Sequence, residues 1–127
     1  MNPLLTAGVA VVVCALAFYS ASMIILLRTR LGAPMRGFLT AGVALDATAT
    51  ALMIAGSRRI PLTFHGIWGY SALGLMALDA TLVWIRVRSR PSEPLSPRLK
   101  LYSLIAYSWW VLAFAAGVVV AGRMSAR

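Results

Sequence analysis

Residues 4–27 read LLTAGVAVVVCALAFYSASMIILL, a run without a single charged side chain. A helix rises about 1.5 Å per residue and the hydrocarbon core of a bilayer is about 30 Å thick, so about 20 such residues span it. The run stops at Arg28. Three more predominantly apolar runs follow at 37–56, 63–85 and 99–122, with Arg36, Arg58, Arg86, Lys100 and Arg123 at their borders. Lipid offers no water to satisfy open backbone groups, so each run must close its hydrogen bonds internally as a helix. The sequence therefore predicts an all-α integral membrane four-helix bundle, a single transmembrane domain over residues 1–127. Short connections place consecutive helices side by side and antiparallel, in up-down order.

Composition points the same way. The 127 residues are 61% hydrophobic and 12% charged, with a mean hydropathy of +0.84; soluble domains carry roughly 25% charge. The net charge of +9 does not indicate nucleic acid, because no polar segment interleaves basic and aromatic residues over a length that would form a binding face. Membrane lipid is the expected environment, with a second copy of the chain or another membrane protein as the expected partner. The single cysteine, Cys14, lies in the first apolar run and excludes an internal disulfide. The start, Met1-Asn2-Pro3, lacks a basic stretch and the following run is too long for a signal segment, so the first helix is expected to remain as an anchor.

Arginine and lysine near helix ends are retained on the cytoplasmic side. Arg28, Arg30 and Arg36 fall between the first and second runs, and Arg86, Arg88, Arg90, Arg98 and Lys100 between the third and fourth. Only Arg58, Arg59, Arg123 and Arg127 fall on the other side. Both termini are thus expected outside the cytoplasm. The bias toward arginine, alanine, valine and glycine is the usage expected of a GC-rich bacterial genome, so a bacterial inner membrane is the expected location. Ser96-Pro97 marks the start of the fourth helix, a hydroxyl cap followed by proline in the first turn, and the third is expected to begin just after Pro61. In the fourth helix Ala113, Gly117 and Ala121 recur every four residues, a pattern that lets another helix approach, within the bundle or across a homodimer.

Two of the three acidic residues, Asp46 and Asp79, lie inside spanning runs, where an aspartate costs roughly 2.5–3.5 kcal/mol at the centre. Such a group must be protonated, paired or hydrated, which makes it a candidate for function. At about 1.5 Å per residue the two sit about 13 and 9 Å below the cytoplasmic boundary. Facing each other, they would share a proton. Otherwise Thr50, Thr48, Ser108 or Tyr107 would bond them and each would only fix helix register. Thr50, one turn from Asp46, is the leading partner. Both carboxyls sit in one pentapeptide, Ala44-Leu45-Asp46-Ala47-Thr48 and Ala77-Leu78-Asp79-Ala80-Thr81, either an inverted repeat of the transporter kind or a coincidence of common residues.

His65 is the only histidine, so two imidazoles of one chain cannot hold a haem. It opens the third helix beside Arg58 and Arg59, on nearly the same helix face as Asp79 with Ala72 and Met76 between, about 21 Å away along the axis. No phosphate loop, metal cluster or nucleophile-base pair is present, so no catalytic residue, metal or cofactor is expected and the chain is not expected to be an enzyme. The tryptophans and tyrosines read as belt and packing residues.

Three segments carry a resemblance: Leu45-Asp46-Ala47-Thr48-Ala49-Thr50-Ala51-Leu52-Met53, Phe64-His65-Gly66-Ile67-Trp68-Gly69, and Leu101-Tyr102-Ser103-Leu104 leading into Trp109-Trp110. Together they resemble the HsmA family of small bacterial four-helix membrane proteins over the last two thirds of the chain. That family tends to carry further histidines late in the third helix and at the start of the fourth, where this chain has Asp79 and the residues near Lys100. The resemblance implies the four-helix fold and gives weight to Asp46 and His65; it names no reaction. The residues themselves leave open a proton- or cation-handling protein and a non-catalytic subunit that binds a partner protein, lipid, haem or quinone.

Overall fold

The computed structural model describes residues 3–29, 32–57, 64–90 and 93–125. They form four helices, α1 (Pro3–Thr29), α2 (Gly32–Ser57), α3 (Phe64–Ser89) and α4 (Pro97–Ser125). Each contains a stretch long and apolar enough to cross a membrane, and the chain is a multi-pass membrane protein. The helices overrun the apolar runs at their basic ends. α2 begins at Gly32 rather than 37, because Pro34 falls in the first turn, where its missing N–H is no loss. α3 continues past Ile85 through Arg86 and Arg88, whose charges suit the negative end of the helix dipole. α4 opens as its sequence implies, with the Leu99 N–H donating to Ser96 Oγ at 3.2 Å. Glu93, the third acidic residue, meets Arg90 at 3.2 Å and Arg86 at 3.6 Å on the exposed connection, where such pairs contribute little.

Four seams close the bundle: α1 on α2, α2 on α3, α3 on α4 and α4 on α1. Along the first, Leu4 and Leu5 lie at Gly56, Gly8 at Met53 and Tyr19 at Gly42. Along the third, Ser71 bonds Trp109, Leu75 bonds Tyr102 and Asp79 bonds Ser103. Numbers fall on α2 as they rise on α1, and from Ser71–Trp109 to Asp79–Ser103 they fall on α4 as they rise on α3, so both pairs are antiparallel.

Along α2 and α4 the inward residues recur at alternating steps of three and four. In α2 these are Met35, Leu39, Gly42, Asp46 and Ala49; in α4 they are Ser103, Ala106, Trp110 and Ala113. That spacing is the seam of left-handed bundle packing. Large aliphatic side chains such as Ile24, Leu27, Ile67, Ile85, Leu101 and Leu112 point outward. Lipid is as apolar as leucine, so hydrophobicity does not sort the two faces; large side chains such as Tyr19, Leu26, Leu39 and Trp110 are buried as well. Cys14 is on the outward face as well.

The tightest approaches are on the α1–α2 seam, at Gly8, Gly42 and Gly56, whereas Ala113 and Gly117 of α4 border a hollow described below. The side chain of Ala121 lies outside the described residues. A methyl group on Gly42 would stand 2.5 Å from the Tyr19 ring, closer than carbon atoms can sit. Gly42→Ala should therefore lower stability by about 1–3 kcal/mol, the cost of overpacking. Gly37→Ala, with no atom within 4 Å of the new carbon, should not. Thermal melts of the two proteins in detergent check this; equal melting points would show that the ring is not held against Gly42.

Candidate functional site

Both intramembrane aspartates occupy inward positions and are buried. The pentapeptides behave alike because helix geometry is the same in each. The aspartate turns in, and the threonine two residues on turns out and donates back to the carbonyl four residues earlier, Thr48 to Ala44 and Thr81 to Ala77.

Asp46 is held from two other helices. Tyr19 of α1 donates its hydroxyl to Asp46 Oδ2 at 3.0 Å, and Trp110 of α4 donates its indole N–H to the same oxygen at 2.8 Å. The two rings meet edge to face, 4.9 Å between centroids at 80°. Gly42 is what lets Tyr19 lie flat against α2, one turn before the carboxylate it bonds. Trp110 is backed by Phe114, stacked at 5.7 Å. Two fixed donors on one oxygen are the arrangement an acceptor-only carboxylate requires.

Thr50 does not fill the role expected of it. Its hydroxyl donates to the Asp46 backbone carbonyl at 3.0 Å, the default of a threonine four residues on in a helix. Tyr107 bonds Ser20 at 2.7 Å and Ser108 bonds the Leu104 carbonyl, so neither reaches an aspartate. The partners of Asp46 are the two aromatic residues that hydropathy reading assigns to belts and packing.

Asp79 is separate. Ser103 of α4 donates to its Oδ1, and its Oδ2 is buried without a hydrogen-bond partner. Among the described residues no hydrogen bond joins the two carboxyls. Tyr102, beside Ser103, donates to the Leu75 carbonyl at 2.9 Å and ties the same seam. The backbone of His65 is in the first turn of α3, and its side chain lies outside the described residues, as do Arg58 and Arg59. Ala72 and Met76, on the face between His65 and Asp79, are fully buried.

Asp46 forms part of the wall of a cleft of about 410 Å³ to which all four helices contribute. The space exists because small residues stand where large ones would fill it: Gly66, Gly69 and Ala72 on α3, and Ala113 and Gly117 on α4. Val9, Met53, Tyr70, Trp110 and Phe114 are among the residues of the remaining wall. From Asp46 the cleft extends toward the end of the bundle where α2 stops and α3 starts. Its volume is within the about 300–1,000 Å³ of small-molecule sites, and an apolar wall with one convergent polar group is their usual make-up. A shallower hollow of about 540 Å³ lies near the other end, between Arg86 and Arg98. Arg86 is already engaged there by Glu93 and the Pro94 carbonyl. Among the described residues no three His, Cys, Asp or Glu side chains gather as a metal site would require.

No protein-family model, curated protein or solved structure matches this chain. What fold and site define is a class: a small four-helix membrane protein with a carboxylate set in the wall of an intramembrane cleft.

Proposed function

We propose that the protein handles protons or other cations in a bacterial inner membrane, with Asp46 as the exchanging group and both termini outside the cytoplasm, and that it is a member of the HsmA family. One observation carries the reading: Asp46 is both anchored by two donors and part of the wall of a cleft, so a buried acid has space beside it for an incoming species. A carboxyl that served only to lock helices together would need the donors and not the cleft. Polar groups at this depth are expensive in lipid and mark pathways or binding sites. The groups facing Asp46 are Tyr19 from α1 and Trp110 from α4, with Tyr70 of α3 in the cleft wall.

The test is a pH jump across proteoliposomes loaded with a pH-sensitive dye. Wild-type vesicles should dissipate the gradient faster than empty ones, and Asp46→Asn vesicles should match the empty ones. Equal rates for wild type and Asp46→Asn would end the proposal.

Orientation has its own measurement, resting on the eight basic residues in and flanking the first and third connections against four on the opposite side. In a Cys14→Ala background, a cysteine at Ser125 should react with an impermeant maleimide on intact cells. One at Ser89, an exposed position at the end of α3, should react only after lysis. The reverse pattern would invert the topology.

A further inference from the structure

Resting on that reading of Asp46, we propose that the cleft binds a lipophilic organic cation, one whose charge is spread over an apolar body. Three features of the wall select this class.

The first is charge. Asp46 is the acidic residue of the cleft, and its two donors come from the protein, so what the carboxylate lacks is a positive partner. The second is the shortage of other oxygen ligands. Thr50 Oγ1 is committed to the Asp46 carbonyl, and the remaining wall is largely aliphatic, aromatic or glycine. A hard metal cation wants about six oxygens in place of its water, and this wall does not provide them. An organic cation gives up little hydration and needs one counter-charge. The third is aromatic surface. Trp110, Phe114 and Tyr70 border the space, and ring faces attract cations, more strongly where water is excluded.

A matched pair of probes separates charge from shape, because tetraphenylphosphonium and tetraphenylborate have nearly the same size and opposite sign. Isothermal titration of the full chain in detergent should show saturable one-to-one binding of tetraphenylphosphonium and none of tetraphenylborate. Asp46→Asn keeps shape and removes charge, and should weaken binding at least tenfold. Gly69→Leu keeps the carboxylate and fills the cleft; it is the suitable plug because a carbon added at Gly69 meets no atom within 4 Å. It should also weaken binding at least tenfold while melting like wild type.

Equal binding of the two probes, or of the phosphonium to wild type and Asp46→Asn, would overturn the proposal. So would an absence of phosphonium binding to wild type. If that absence accompanied an Asp46-dependent proton flux in the pH-jump vesicles, the organic-cation inference alone would fall; loss of the flux as well would remove the underlying reading.

Discussion

Replacing Asp46 with leucine should destabilise the bundle by about 1–3 kcal/mol, while replacing it with asparagine should leave the melting point close to that of wild type. Leucine branches where aspartate does, so it fits the space, but it accepts nothing. The Tyr19 hydroxyl and the Trp110 indole N–H would then both be stranded inside the bundle. Interhelical hydrogen bonds in membranes contribute about 0.6 kcal/mol on average and about 1.7 at most. Two lost together give the stated range. Asparagine retains one carbonyl oxygen where Oδ2 stands and can accept from both donors; what it gives up is charge and titration. The two substitutions thus separate what Asp46 does for the fold from what it does in the cleft. Asp46→Asn should melt normally and carry no proton flux, and Asp46→Leu should lose both. If Asp46→Asn instead melts as low as Asp46→Leu, the second carboxylate oxygen is part of the structural bond and Asp46 is chiefly a helix clamp.

The helices were legible because lipid imposes a length and forbids charge, and a run such as 4–27 meets both demands without reference to anything else in the chain. Their ends were less so. Pro34 and Arg86 look like stops on a hydropathy profile, yet the first turn of a helix tolerates proline and the last turn favours arginine, so α2 and α3 extend past them. Asp46 and Asp79 stood out for the energy they cost. Their partners did not, since Tyr19 and Trp110 are aromatic residues in apolar runs, and nothing in hydropathy distinguishes an aromatic side chain at the interface from one donating to a carboxylate. A signal was nonetheless present: Met35, Leu39, Gly42, Asp46 and Ala49 repeat at steps of four, three, four and three, and Ser103, Ala106, Trp110 and Ala113 at steps of three, four and three. In a membrane helix that spacing marks the inward face better than hydrophobicity does, and it places Asp46 and Trp110 in the same interior. The cleft was hidden for a related reason. Gly66, Gly69 and Gly117 look like close-packing residues in a sequence, and whether a glycine admits a neighbouring helix or leaves a space depends on what stands opposite.

Asp79 supplies the second large effect, and its sign is unusual. Its Oδ1 accepts from Ser103, its Oδ2 is buried with no hydrogen-bond partner, and the residue is fully enclosed. Removing the serine should therefore be costly: Ser103→Ala takes away the partner and leaves the acid enclosed, a loss of about 1–3 kcal/mol for an unsatisfied buried group. Removing both should be less costly than removing one. In Asp79→Leu combined with Ser103→Ala the desolvated polar atoms are gone and apolar atoms of similar shape replace the carboxyl, a change that is often neutral or stabilising. The double variant should melt above Ser103→Ala and at or above wild type. A double variant that melts no higher than Ser103→Ala would show that Asp79 makes a stabilising contact beyond Ser103. The same protein then locates Asp79 relative to Asp46. Wild-type proton flux in a bundle without Asp79 would leave it the role of pinning α3 to α4, whereas flux lost from a protein that melts higher would place both carboxyls on one path, with the fold giving up stability to keep the second.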